Sequence, residues 1–140
     1  MSKCRYFSIK ELVSPAVYKR YGEDAWAFLD ERLCVTLDAI RARFGATVVN
    51  DWSWGGSFRY RGLRADVDYP ELKRQGIYLR NSYHNKGKAC DMHFRTASVN
   101  EARKYILQHP AEFPFVKGVE IAPWLHIDVR DSDKVIIFNR

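Results

Sequence analysis

Between Asp24 and Phe44 the apolar residues Trp26, Leu29, Leu33, Leu37, Ile40 and Phe44 recur at steps of three and four, which sets them on one helix face that Gly45 terminates. A single domain needs such a face for its own sheet, so this stretch is expected to be the main core helix rather than a membrane or partner stripe. Shorter helices are signalled around it. Ser8 to Glu11 forms a capping box, and Ser14-Pro15 opens a helix that stops at Gly22. A second capping box, Ser98 to Glu101, starts a helix running to about His109, where Pro110 ends it.

Elsewhere the period is two. From Lys88 to Phe94, Cys90, Met92 and Phe94 share an apolar face, which turns Ala89, Asp91 and His93 the other way. Trp124 to Arg130 repeats the pattern, with Leu125, Ile127 and Val129 inward and Trp124, His126, Asp128 and Arg130 on the opposite face. Val116 to Ile121 is expected to form a hairpin with it, and Asp131 to Asp133 to turn into a last strand, Lys134 to Phe138. Ala46 to Asn50 and Ile77 to Arg80 read as short strands, and residues 65–76, polar and interrupted by Pro70, as an excursion. The expected fold is α+β, a small antiparallel sheet of about four strands with helices packed on one face and a cleft on the other.

A chain of 140 residues that is 46% hydrophobic can bury a full core as one domain, residues 1–140, without disulfide staples. Cys4, Cys34 and Cys90 cannot all pair within the chain and show no C-x-x-C spacing, so reduced, buried thiols are expected. No stretch reaches the ~20 apolar residues of a membrane span, and Met1 to Phe7 has no run of signal-peptide length. A monomer made in a bacterial cytoplasm is the expectation. The net charge of +6 favours an anionic partner, but its scatter along the chain suits a solvated surface better than a nucleic-acid stripe.

Two segments carry chemistry. Asp51 to Arg64 is rich in glycine, aromatic residues and arginine, a composition suited to a loop that meets a ligand. Its Arg59, Arg61 and Arg64 would either accompany Trp52 and Trp54 as stacking platforms for nucleic acid or grip a carboxylate; the tryptophans suit packing beneath the turn equally well. The other segment pairs His84 and Asp91, seven residues apart around Gly87, with His126 on a distant strand. Two imidazoles and a carboxylate form a three-ligand metal site with one open position. His109 is a helix-end cation, and His93 a surface residue or a neighbour of the site.

The residues Ser82-Tyr83-His84-Asn85-Lys86-Gly87-Lys88-Ala89-Cys90-Asp91, with Trp124-Leu125-His126-Ile127-Asp128, fit the spacing Ser-x-His-x-x-Gly-x-Ala-x-Asp. This resembles the signature of the zinc D-Ala-D-Ala carboxypeptidase family, which includes phage L-alanyl-D-glutamate peptidases and shares its fold with the amino-terminal domain of hedgehog proteins. The resemblance implies Zn2+ held by His84, Asp91 and His126, with Ser82 bonding within the site or to substrate and Gly87 permitting the turn. It further implies that Arg61 or Arg64, Arg64 foremost, binds a substrate carboxylate or carbonyl, with Trp124 beside it.

The implied activity is hydrolysis of a peptidoglycan stem-peptide bond by metal-activated water, with a carboxylate as base. Many relatives place that base three residues before the last histidine, where this chain has Pro123. Glu120 is the expected substitute, provided the hairpin loop is Ile121 to Pro123, which sets Glu120 opposite Trp124 on the face of His126. Asp128 is the second choice, or else it orients a histidine or arginine. A phage-type enzyme reaching the wall after release fits these features; a non-catalytic zinc domain of the same fold is the alternative, and a basic nucleic-acid binder ranks last.

Overall fold

The protein is described from a computed structural model covering residues 2–76 and 82–139. Its amino-terminal third follows the capping signals. The Ser8 amide donates to the Glu11 carboxylate at 2.7 Å to hold a 3-10 turn, Ile9–Glu11. Helix α1, Pro15–Tyr21, opens on Ser14, whose Oγ accepts from the Val17 amide at 3.1 Å, and ends at Gly22 with φ 55°. The core helix α2 spans Glu31–Phe44 and so begins later than the expected Asp24. Asp30 decides the start: its Oδ1 accepts from the Arg32 amide at 2.8 Å and caps the helix. Residues Gly22–Phe28 before it wind as 3-10 turns that still bury Ala25 and Trp26. Three residues per turn keep Trp26 and Leu29 on one side, which is why the apolar spacing runs on past the true helix end.

Residues 65–76 are not a bare excursion. Helix α3, Tyr69–Arg74, forms there with Pro70 in its first turn and Leu72 fully buried. Asp68 anchors it from inside, accepting from Ser14 Oγ at 2.6 Å and from the Ala65 amide at 3.0 Å. The expected strand Ile77 to Arg80 lies outside the described residues.

Among the described residues the sheet has five strands and is mixed, not four and antiparallel. Strands β1 (Thr47–Val48), β2 (Ala89–Phe94), β3 (Gly118–Ile121), β4 (Leu125–Asp128) and β5 (Ile136–Asn139) lie in the order β1-β2-β4-β3-β5. Every pair is antiparallel except β3 with β5. The reason is topological: β2 and β3 already flank β4, so the chain leaving β4 reverses and joins the sheet beyond β3, which makes it parallel to β3. Expected strands 46–50, 116–121 and 124–130 are each trimmed at their ends.

On one face Cys90, Met92, Phe94, Val119, Leu125 and Ile127 pack against Leu33, Leu37 and Ile40 of α2 and Ala102 and Ile106 of α4, Val99–Gln108. Each large side chain buried there contributes about 1.5–3 kcal/mol relative to exposure. The three cysteines are free and buried. Among the described residues no helix is long and apolar enough to cross a membrane. The opposite face carries the charged and aromatic alternates.

Gly87 joins the two layers. It sits at φ 68°, its carbonyl accepts from the Asp30 amide at 2.9 Å, and a Cβ there would collide with the Phe28 carbonyl. Gly76 has a similar φ of 74° but open space around it. Gly87→Ala is therefore expected to cost more than Gly76→Ala, which should lose about 1 kcal/mol from strain alone, and the gap should exceed about 1 kcal/mol in urea unfolding. Equal losses would contradict the close packing of this turn against the entry to α2.

Candidate metal centre

The polar face of the sheet owes its arrangement to register. Across the β2–β4 pair Asp91 stands opposite His126, and across β3–β4 Glu120 also stands opposite His126. His84 arrives from outside the sheet on a 3-10 turn, Tyr83–Lys86, whose amino end Ser82 caps by accepting from the His84 amide at 3.2 Å. Gly87 at the end of that turn sends the chain directly into β2, which brings His84 back over Asp91.

The segment Arg61-Gly62-Leu63-Arg64 closes the third side and is fixed at both ends. The Leu63 amide donates to Leu12 O at 2.8 Å and the Arg61 amide to Asn50 Oδ1 at 2.9 Å. From the same segment Arg61 O accepts from the Asp91 amide at 2.8 Å, and Gly62 O lies 3.0 Å from His84 Nδ1. Gly62 has no room for a side chain, because a Cβ would strike the Leu12 carbonyl.

Each ring nitrogen now has a role. His84 Nδ1 donates to Gly62 O, which leaves Nε2 as a lone pair 3.5 Å from Asp91 Oδ2. His126 turns Nε2 to Asp128 Oδ2 at 3.2 Å and Nδ1 to Asp91 Oδ1 at 2.7 Å. One ligand atom from each of His84, Asp91 and His126 lies within 4.8 Å of the others, and all three residues are buried, close enough to hold a metal ion. A tetrahedral zinc site spaces its N and O ligands about 3.3 Å apart. The His84–Asp91 separation already matches this, while the shorter His126–Asp91 contact is a hydrogen bond whose proton occupies the position of a cation. The donor set and its convergence therefore fit a metal.

The electrostatics agree. Burial alone would raise the Asp91 pKa, but the hydrogen bond from His126 holds it well below the usual carboxylate range. Burial pushes the His84 pKa down and keeps that ring neutral, as a ligand must be. Burial also opposes charge on His126, yet its bonds to Asp128 and Asp91 carry its pKa up to about 9. Asp128, resisted by burial but held by Arg130 and His126, falls to about 2. Its Oδ1 accepts from Arg130 Nε at 2.7 Å and its Oδ2 from Nη2 at 2.7 Å. Gly118, opposite it, leaves space for the carboxylate. Asp128 is thus fully buried and fully bonded, the arrangement of a residue that orients His126 rather than of a base.

The triad lies in an open cleft of about 490 Å³ that Ser82, Arg64, Glu120 and Trp124 also line. Glu120 shares the face of His126 as expected, but it stands opposite His126 and not Trp124, because the loop is Ala122 to Trp124 and not Ile121 to Pro123. Arg64 reaches the cleft with Nε bonded to Tyr60 O at 2.7 Å and Nη2 3.8 Å from Asp91. Arg61 does not line it: its guanidinium bonds His93 Nδ1 at 2.7 Å and lies 3.8 Å over the Phe58 ring.

Sequence reasoning missed one wall. The Arg130 guanidinium lies 4.5 Å from the Tyr83 ring centroid and 5.1 Å from that of Phe138, and Ile136 completes the wall. Arg130 was visible in the alternation of β4, but Phe138 enters only through the parallel pairing of β5, for which the sequence offers no signal. No protein-family model, curated protein or solved structure matches this chain.

The proton on His126 has a measurable consequence. A histidine whose folded pKa exceeds its unfolded value of about 6.5 contributes stability below that pH and loses it as pH rises through the folded value. Metal-free protein should therefore lose stability between about pH 6.5 and pH 9, a loss that His126→Gln removes. The acid side runs the other way, since His84 and the carboxylates, with lowered folded pKa values, withdraw stability as pH falls. A metal must displace the His126 proton, so its affinity should rise about tenfold per pH unit up to about 9. Titration calorimetry in buffers of different ionisation enthalpy checks this; metal uptake without proton release would contradict it.

Proposed function

We propose that this chain is a zinc-dependent peptidoglycan peptidase of the D-Ala-D-Ala carboxypeptidase and L-alanyl-D-glutamate peptidase type, with the hedgehog-like fold of that group. The observation that carries the reading is the convergence of His84, Asp91 and His126 on the floor of an open cleft, with Glu120 on its wall. The mixed sheet, with α2 and α4 on its apolar face and the triad on the other, supports the same grouping.

Zinc held by the three residues would polarise the scissile carbonyl and lower the pKa of the attacking water toward ~7. The chain's own residues supply the rest. Glu120, one strand from His126 and on the same face, takes the proton of that water and passes it to the leaving amine. Arg64 spends Nε on Tyr60 O, so its Nη groups on the cleft wall hold a substrate carboxylate or carbonyl. Asp128 fixes the His126 ring, and Ser82 fixes the turn that carries His84. The substrate is a stem peptide of the wall, reached after release from the cytoplasm as in phage lysis.

Elemental analysis and mass spectrometry of peptides released from purified peptidoglycan test this reading. One zinc per chain and a defined cleavage product are expected for the native protein. Glu120→Gln should keep the metal and lose about 10²–10⁴-fold in kcat, and His84→Ala should lose both metal and activity. Zinc without any cleavage would favour a non-catalytic zinc domain, for which Pro123 at the usual base position is the motive.

A further inference from the structure

Trp54 stands apart from the other large aromatic residues. It is 59% exposed, and among the described residues its ring makes no aromatic or cation pair and its indole N–H no hydrogen bond. Trp52, two residues earlier, instead donates from Nε1 to Val13 O at 2.9 Å and packs near Tyr18. An exposed indole with both its face and its donor unspent is ready for a ligand.

Trp54 borders a second cavity, of about 380 Å³, together with Asp51, Gly56, His93 and Arg95. The polar groups there form a mixed rim. The Arg61 guanidinium can only donate, so its 2.7 Å bond to His93 Nδ1 makes that atom the acceptor and leaves His93 Nε2 as an N–H donor without a partner among the described residues. Asp51 Oδ1 accepts from the Phe58 amide at 2.9 Å, which leaves Oδ2 as an acceptor. Gly56 makes room for that carboxylate, since a Cβ there would collide with it. A π face ringed by both donors and an acceptor suits a pyranose, whose axial C–H groups stack on indole while hydroxyl and amide groups bond at the edge.

A nucleic acid suits the cavity less well. The Asp51 carboxylate repels phosphate, and of the three loop arginines Arg61 is bonded to His93 and Arg64 reaches the metal cleft instead. Among the described residues that line the cavity, Arg95 is the one lysine or arginine.

The cavity also belongs to the face of the metal centre. His93 follows Asp91 by two residues on β2, about 7 Å along the strand and on the same side, and Val48 of β1 stands opposite it. We infer that Trp54, Asp51, His93 and Arg95 form a saccharide subsite that holds the glycan of the wall while the attached stem peptide lies in the metal cleft. The choice of an N-acetylated amino sugar rests on the peptidoglycan reading; the binding of a saccharide does not.

The test titrates tetra-N-acetylchitotetraose into metal-free protein while the tryptophan indole N–H resonances are followed by NMR, with Trp54→Phe assigning the relevant signal. A saturable shift of the Trp54 signal is expected. Trp54→Ala should weaken binding about tenfold or more, Trp54→Phe less, and metal uptake should match the native protein in both. An unmoved Trp54 signal at millimolar saccharide, or equal affinity in Trp54→Ala, would overturn the subsite. So would a shift produced by an oligodeoxythymidylate and not by the saccharide. The titration reads binding without metal, so a protein that binds saccharide yet cleaves nothing would sink the peptidase reading alone, and one that cleaves stem peptides without moving Trp54 would sink the subsite alone.

Discussion

Asp91 facing His126 across the β2–β4 pair is the constraint on which the remaining geometry depends. A slip of one residue would turn Asp91 into the apolar layer and expose Cys90 and Met92, so the hydrophobic face that builds the core also fixes the site. The same register places Glu120 beside His126 and Phe138 beside Glu120. Three glycines then allow the close approaches: Gly87 under Phe28, Gly62 against Leu12, and Gly118 beneath the Asp128 carboxylate. Side chains at these places would push apart the layers that bring His84 over Asp91.

The site is also a buried ionic network, and such networks are a poor source of stability. Desolvating Asp91, Asp128 and His126 costs several kcal/mol per ion before their mutual attraction offsets it. The offset here comes from bonding nearly every polar atom, with Arg130 paired to Asp128 through two N–H groups and Arg64 close to Asp91. An arrangement so saturated serves orientation. It turns the two imidazoles in opposite senses, His84 Nε2 and His126 Nδ1 toward the same carboxylate.

The face assignments of β2 and β4 were legible in the sequence because alternation is a local property, and the candidate metal ligands followed from them together with the Gly87 turn. Helix caps were legible for the same reason, as at Ser14 and Ser98. What escaped was set by distant contacts. The start of α2 depended on Asp30 capping, while the apolar spacing ran through the preceding 3-10 turns. The length of the β3–β4 loop placed Glu120 opposite His126, and the parallel docking of β5 brought in Phe138. Arg61 and Arg64 look alike in sequence; only the fold turns one to His93 and the other to the cleft.

The most direct test of the metal centre is X-ray absorption at the zinc edge of protein reconstituted with one equivalent of zinc. The account predicts a first shell of nitrogen and oxygen at about 2.0–2.1 Å with the multiple-scattering signature of two imidazoles and no sulfur. A sulfur scatterer at about 2.3 Å would place the ion on a buried cysteine and contradict the assignment of His84, Asp91 and His126, as would a zinc shell without imidazole.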